Sequence, residues 1–351
     1  MIKFAVLGCG RIAPKHIDAI SKIPDAKLIA ACDIRIEKAR NLFKDKNIPI
    51  YENYEEMLKR EQPDVLSILT PSGNHPEHCL RSLEYVKNIV LEKPMALRLE
   101  DATMMVQKAS ELNARLFVVK QNRFNLAVQA ARKTFEQGRL GKMVLGTVRV
   151  RWCRTQAYYD QDSWRGTWAL DGGALANQAS HHVDLLQWFM GDVESVFAKT
   201  ATRLVNIEAE DTAVAILKFT SGALGVIEAT TATRPKDLEG SLSLLGEHGS
   251  IVIDGFAVNK IRSWQFSDAI DDTAMLSEVD EAPANVYGNG HVPFLRNVVD
   301  SIKLGKPSLV DGLEGMKSLR LLHALYESAE TGREIKLIFR PEKNRLGLPS
   351  I

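Results

Sequence analysis

Cysteine is scarce: Cys9, Cys32, Cys79 and Cys153 are the only four in 351 residues. They are widely spaced and form no C-x-x-C pair, which argues against a disulfide framework and against a structural zinc site. They read instead as small buried hydrophobes. Long apolar runs are missing too, and none approaches the ~20 residues a spanning helix needs. Met1 to Gly10 lacks the basic start and small-residue cleavage site of a secretory signal. A cytoplasmic protein without membrane contact is expected. Nor is there an excess of one charge: 45 basic side chains face 44 acidic ones, for a net charge of +1. Without a basic stripe, no nucleic-acid partner is expected. His75 and His78 have helical spacing, but Pro76 lies between them. No Cys, Asp or Glu cluster completes a metal site around them, so no metal is expected.

What is present is ordinary globular material, 45% hydrophobic and 25% charged. The length is too great for one core and fits two domains. Short apolar runs at Ile2–Leu7, Lys27–Cys32, Val65–Leu69, Ile89–Leu91 and Arg115–Val119 alternate with helical patterns such as Ile36–Phe43 and Leu99–Leu112. That alternation predicts a parallel sheet with helices on both faces over residues 1–121. The texture then changes. A helix from Asn125 to Gln137 leads into an alternating strand, Met143–Trp152. Strands near Val193–Thr202, Asp211–Phe219, Gly222–Thr231, Gly240–Leu245 and Ser250–Ile253 follow through turn signals such as Ser221-Gly222 and Gly246-Glu247-His248-Gly249. Residues 122–351 are therefore expected to form an α+β domain with a largely antiparallel open sheet. Helices near Leu175–Phe189, Gly290–Lys303 and Gly312–Glu330 would cover one face. The acidic stretch Asp268 to Glu281 reads as a solvated loop.

Gly8-Cys9-Gly10-Arg11-Ile12-Ala13 follows the first strand and opens the first helix, a G-x-G-x-x-A dinucleotide fingerprint. Gly8 permits the tight turn, Gly10 admits the pyrophosphate to the backbone, and Ala13 allows close helix–strand packing. Arg11 and Ile12 sit at the helix start, whose unpaired N–H groups favour phosphate. Asp33 ends the second strand, where a carboxylate bonds the adenosine ribose and repels a 2′-phosphate. The cofactor is therefore expected to be NAD rather than NADP, with Arg35 nearby blunting that preference.

Thr70-Pro71-Ser72-Gly73-Asn74-His75 follows one strand and Glu92-Lys93-Pro94 the next. Together they resemble the Gfo/Idh/MocA oxidoreductase family across nearly the whole chain. The resemblance implies a Rossmann domain over 1–121 and a substrate-binding and oligomerisation domain over 122–351. It places Thr70, Pro71, Ser72, His75, Glu92 and Lys93 at the cofactor, with Lys93 beside the reacting carbon. A second family signature reads Asn177-Gln178-Ala179-Ser180-His181-His182-Val183-Asp184. Inositol dehydrogenases carry Asp where this chain has Asn177, which disfavours an inositol substrate.

Val119-Lys120-Gln121-Asn122-Arg123, Trp164-Arg165-Gly166-Thr167-Trp168 and Asp171-Gly172-Gly173-Ala174 look closer to one subgroup. This is the bacterial UDP-N-acetylglucosaminuronic acid 3-dehydrogenases, the WlbA/WbpB type, which serve surface-polysaccharide (O-antigen) synthesis. The resemblance implies an NAD-dependent dehydrogenase that turns the C3 hydroxyl of this nucleotide sugar into a ketone. His181 would remove the hydroxyl proton while Lys93 stabilises the oxygen; the reverse assignment stays open. Lys120, Asn122, Arg123, Arg154, Trp164, Arg165, Asn177 and Gln178 are the candidate substrate contacts, since a carboxylate and a diphosphate need cations. His182 points about 100° away from His181 around the helix and reads as packing. Some relatives use 2-oxoglutarate as hydride acceptor, and no residue here decides that point. A homodimer or homotetramer is the implied assembly. Two other readings remain: a dehydrogenase of another sugar or polyol, and a non-catalytic sensor of dinucleotide or sugar.

Overall fold

Six short apolar segments order the amino-terminal part of the chain, in a computed structural model that describes residues 1–44, 47–279 and 288–349. They are β1 (Ile2–Leu7), β2 (Ala26–Cys32), β3 (Ile50–Tyr51), β4 (Val65–Ile68), β5 (Asn88–Leu91) and β6 (Arg115–Val118). All pair in parallel, in the order β3-β2-β1-β4-β5-β6. Helices α1 (Ala13–Ser21), α2 (Ile36–Leu42), α3 (Tyr54–Glu61), α4 (His75–Ser82) and α5 (Leu99–Glu111) connect them. Every residue of β4 is buried, as a parallel sheet covered on both faces requires. The strand order reverses between β1 and β4, so a crevice opens beyond their carboxyl ends. Ligands of doubly wound sheets bind at such a switch point. The sequence pattern marks five of the six strands. β3 has only two residues, too few for any periodicity.

The second half runs through α6 (Leu126–Glu136), β7 (Met143–Arg151), α7 (Gln156–Tyr159) and α8 (Ser180–Met190). β8 (Val193–Ala201), β9 (Thr212–Phe219), β10 (Leu224–Thr230), β11 (Glu239–Gly246), β12 (Gly249–Asp254), β13 (Lys260–Phe266) and α9 (Thr273–Glu278) follow. α10 (His291–Leu304), α11 (Gly312–Thr331) and β14 (Ile335–Lys336) close the chain. The eight strands lie in the order β13-β12-β11-β7-β10-β9-β8-β14. Only β7 and β10 pair in parallel; their other neighbours are antiparallel. Helix α8 packs on β7 and β11. β9 alternates buried and exposed positions, with Val214 and Ile216 more than half exposed on its outer side. β13 and β14 were not marked by the sequence pattern.

The chain divides into two compact units: Met1–Lys120 with His291–Leu319, and Gln121–Gly290 with Arg320–Ile351. The sequence reading placed everything after 121 in the second domain. In the structure α10 instead packs against α1, so residues 291–319 return to the first unit. The acidic stretch is mostly exposed, as expected, but Thr273–Glu278 is helical rather than a loop. Arg139 grips Asp268 and Asp272 with paired hydrogen bonds of 2.9–3.0 Å, and Trp264 Nε1 donates to Asp272. Residues 280–281 of that stretch lie outside the described residues. Among the described residues, no helix is long and apolar enough to cross a membrane.

Candidate functional site

In the first unit the loop after β1 makes the turn that the fingerprint demands. Gly8 has φ +98°, and a Cβ there would lie 2.9 Å from the backbone of Leu69. Only glycine fits both the angle and the contact. A Cβ on Gly10 would meet no atom within 4 Å, so the space over this loop is open. α1 then begins with no side-chain cap, but Ala13 N–H donates to the Gly10 carbonyl, Lys15 N–H to the Ile12 carbonyl, and Pro14 has none, so the helix start offers a phosphate its dipole. Arg11 is exposed at its mouth, and Ile12 packs on the cluster of Val6, Cys9, Ala13 and Leu69. Asp33 receives the Cys9 N–H and the Arg35 N–H, each at 2.8 Å, which fixes its carboxylate beside the glycine loop. Each oxygen has a second lone pair left for a ribose hydroxyl. These residues fit a dinucleotide.

The loop after β4 continues the same edge. Thr70 and Pro71 lead into a short 3₁₀ turn over Ser72–Asn74. Thr70 Oγ1 pairs with His78 Nδ1 at 2.9 Å. Burial draws His78 down to about 4. His75 is fully buried, with Nδ1 2.9 Å from the Pro94 carbonyl and Nε2 2.9 Å from the Thr70 carbonyl. It thus ties the Thr70 loop to the Glu92-Lys93-Pro94 turn, whose Lys93–Pro94 peptide is cis. Expected at the cofactor, His75 instead faces two backbone carbonyls, to one of which the neutral ring donates its single N–H.

Glu92 behaves likewise. Its Oε1 lies 2.9 Å from His16 Nε2 and 3.9 Å from His291 Nε2, while Oε2 accepts the Lys93 N–H at 3.0 Å. Burial opposes its ionisation, yet the hydrogen bond to His16 and the nearness of His291 hold the carboxyl well below the usual range. The expectation that no cluster of metal-ligand type exists is corrected by this His–Glu–His group. The signal was available: Ala13, His16, Ile17 and Ile20 share one buried helix face. A metal is a poor fit there. Metal-bound imidazoles donate their other nitrogen to an acceptor, and the Nδ1 atoms of His16 and His291 have none. Lys120, a candidate substrate cation, is buried and donates to Ser318 Oγ at 2.7 Å.

In the second unit a π-helical turn, Ala174–Gln178, precedes α8 and carries Asn177 and Gln178; His181 follows on the first turn of α8. The sequence pattern expects one continuous helix here. Asn177 Nδ2 donates to Asp171 Oδ1, whose other oxygen accepts the Gly166 N–H. Gln178 Nε2 and Arg165 Nη1 both donate to Tyr158 Oη, at 3.1 and 2.8 Å. The Arg165 guanidinium also lies over the rings of Tyr158 and Trp164, at 4.7 and 4.6 Å. Tyr158 was missed by sequence reasoning, because nothing in its neighbourhood ties it to residues 165 and 178. His182 is buried against Trp152 and drawn down to about 4 by that burial.

Two candidate cations are committed elsewhere. Arg123 makes a bidentate pair with Asp184 at 2.7 and 2.8 Å, both side chains almost wholly buried. It therefore anchors α8 rather than standing ready for a substrate anion. Arg154 donates to Asp237 at 3.0 Å. Asn122 is buried within the 3₁₀ turn Gln121–Phe124. Trp164 is half-buried and Trp168 fully buried against Tyr326. The arrangement thus assembles Arg165, Tyr158, Gln178, Asn177 and His181 on connected segments.

Residues 2–120 match an oxidoreductase-family NAD-binding Rossmann fold, and residues 132–337 match that family's C-terminal alpha/beta domain. The chain is similar to the WlbA dehydrogenase from Bordetella pertussis, solved in complex with NADH and UDP-GlcNAcA. The identity is 43%, coverage is 95% of this chain and 97% of that one, and the TM-score is 0.92. The Chromobacterium violaceum WlbA dehydrogenase, solved with the same two ligands, is 42% identical over 95% of each chain, with a TM-score of 0.89. A myo-inositol 2-dehydrogenase from Thermotoga maritima is 25% identical, covering 96% of this chain and 98% of its own. The chain is an NAD-dependent oxidoreductase of the CH–OH class, and it belongs to the Gfo/Idh/MocA oxidoreductase family.

Proposed function

We propose that this protein oxidises the C3 hydroxyl of UDP-N-acetylglucosaminuronic acid to a ketone. The observation that carries this reading is the 43% identity, over 95% of the chain, to a dehydrogenase solved with NADH and UDP-GlcNAcA. NAD, when bound, supplies the two-electron acceptor. Gly8, Gly10 and the loop leading into α1 hold its phosphates, and Asp33 its adenosine ribose. Glu92 fixes the backbone at Lys93, whose ammonium stabilises the negative charge growing on the sugar oxygen. His181, on the first turn of α8, takes the hydroxyl proton as general base. Arg165, stacked on Trp164 and Tyr158, offers a preorganised cation to the acidic sugar or its diphosphate.

The same reading places the enzyme in the cytoplasm, in surface-polysaccharide synthesis, and as a dimer or tetramer. Exposed Val214, Ile216 and Leu224 on the outer sheet face support self-association through that face. Light scattering that gives a monomer at micromolar concentration would contradict the assembly. The reaction is tested by incubating the protein with NAD and the nucleotide sugar, with and without 2-oxoglutarate, and following the sugar by mass spectrometry. Loss of two hydrogens mapped to C3 supports the assignment. Turnover of a neutral sugar or polyol alone would replace it.

A further inference from the structure

The segment carrying Asn177, Gln178 and His181 starts with backbone N–H groups that have no partner inside the turn. Three in succession are satisfied from outside. Ala174 N–H donates to the Glu210 carbonyl at 2.9 Å, and Leu175 N–H to Glu210 Oε1 at 2.8 Å. Ala176 N–H donates to Tyr326 Oη at 3.2 Å, and that hydroxyl donates to Glu210 Oε1 at 2.9 Å. Glu210 is 2% exposed and Tyr326 1%, so water does not replace either. Gly173 makes room: a Cβ there would fall 2.0 Å from Glu210 Oε2. The cap is built, and glycine at 173 is a condition for it.

The charge state follows from the same surroundings. Glu210 Oε2 is buried with no hydrogen-bond partner, which is costly for a carboxylate and tolerable for a neutral acid. Burial pushes the carboxyl up to about 7, against the bonds from Leu175 and Tyr326, and nearby Asp171 adds to the rise. The titratable groups acting on it, Asp171, Tyr326 and Tyr159, supply no positive charge.

We propose that Glu210 and Tyr326 are positioning residues for the reaction. They cap the Ala174–Gln178 turn and thereby set where Asn177 and His181 stand. This rests on the reading of His181 as the base. Glu210→Gln keeps an oxygen for the Leu175 N–H and the Tyr326 hydroxyl while removing the titration. It should retain kcat within about threefold and flatten any alkaline decline centred near 7. Glu210→Ala and Tyr326→Phe should lower kcat by roughly tenfold or more, because a small misplacement of a reacting group costs that much. NAD affinity should change less than about twofold, since the cofactor residues are untouched.

Amide hydrogen exchange at Leu175 and Ala176 reads the cap without any substrate, so failure of the substrate assignment is told apart from failure of the cap. Exchange should accelerate at both amides in Glu210→Ala and at Ala176 in Tyr326→Phe, and stay slow in Glu210→Gln. If Glu210→Ala does not fold, Tyr326→Phe carries the test. Unchanged exchange in Tyr326→Phe, or faster exchange with kcat intact, overturns the proposal.

Discussion

Glu92 divides its carboxylate between two partners: Oε1 lies 2.9 Å from His16 Nε2, and Oε2 accepts the Lys93 N–H at 3.0 Å. One buried acid therefore joins the helix that starts at the dinucleotide loop to the backbone of the proposed catalytic lysine. Losing a buried hydrogen bond to a charged group costs about 1.5–3 kcal/mol. Glu92→Gln should lose stability of that order in urea denaturation and lower kcat as well. Because folding depresses the Glu92 pKa, its stabilisation is present above the ordinary value of 4.5 and is lost as pH falls through the folded value. The wild type should therefore weaken on the acid side of 4.5, and the variant should lack that slope.

Arg123 and Asp184 form a bidentate pair with both side chains at most 3% exposed. Arg123→Met should lower unfolding stability by about 3–5 kcal/mol, with a smaller loss in Arg123→Lys. If Arg123 were instead a substrate cation, KM for the nucleotide sugar would rise while the melting temperature held. Measuring both on the same preparations decides between them.

Asp33 holds two backbone N–H groups at 2.8 Å and faces the glycine loop. Asp33→Ala should reduce kcat/KM with NAD by roughly 10–100-fold, the worth of a hydrogen bond to a charged group. It should also narrow the preference over NADP. An unchanged cofactor ratio would show that Asp33 is a loop anchor alone.

The cysteines should differ in reactivity. Burial pushes the Cys9 and Cys32 thiols up to about 12 and also raises Cys79, whereas Cys153 is partly exposed. Alkylation of the native protein at mildly alkaline pH should label Cys153 first, read by peptide mass mapping. Equal labelling of Cys9 would mean that the glycine loop opens.

The parts of this site legible in the sequence are those in which function and local pattern coincide. Gly8, Gly10 and Asp33 are set by one strand–turn–helix unit, and Lys93 lies in a motif of three residues. The surrounding support is not local. Glu210 lies far along the chain from both Gly173 and Tyr326, and no periodicity joins them. His16 was visible only as a polar residue in an apolar helix stripe, and its partner His291 comes from α10, which folds back on the first unit. Arg123 looked like a free cation because its partner Asp184 sits on another helix. Long-range polar pairing decides these cases, and it is written in the tertiary structure.

The most direct test of the account is mass spectrometry of UDP-N-acetylglucosaminuronic acid after incubation with NAD and wild-type, Lys93→Met or His181→Ala protein. Recycled cofactor does not accumulate, so the sugar itself must be read. A loss of two hydrogens mapped to C3 is expected with the wild type, and less than about 1% of that rate in either variant. Tight NAD binding with no keto product from this sugar, or full turnover by Lys93→Met, would contradict it.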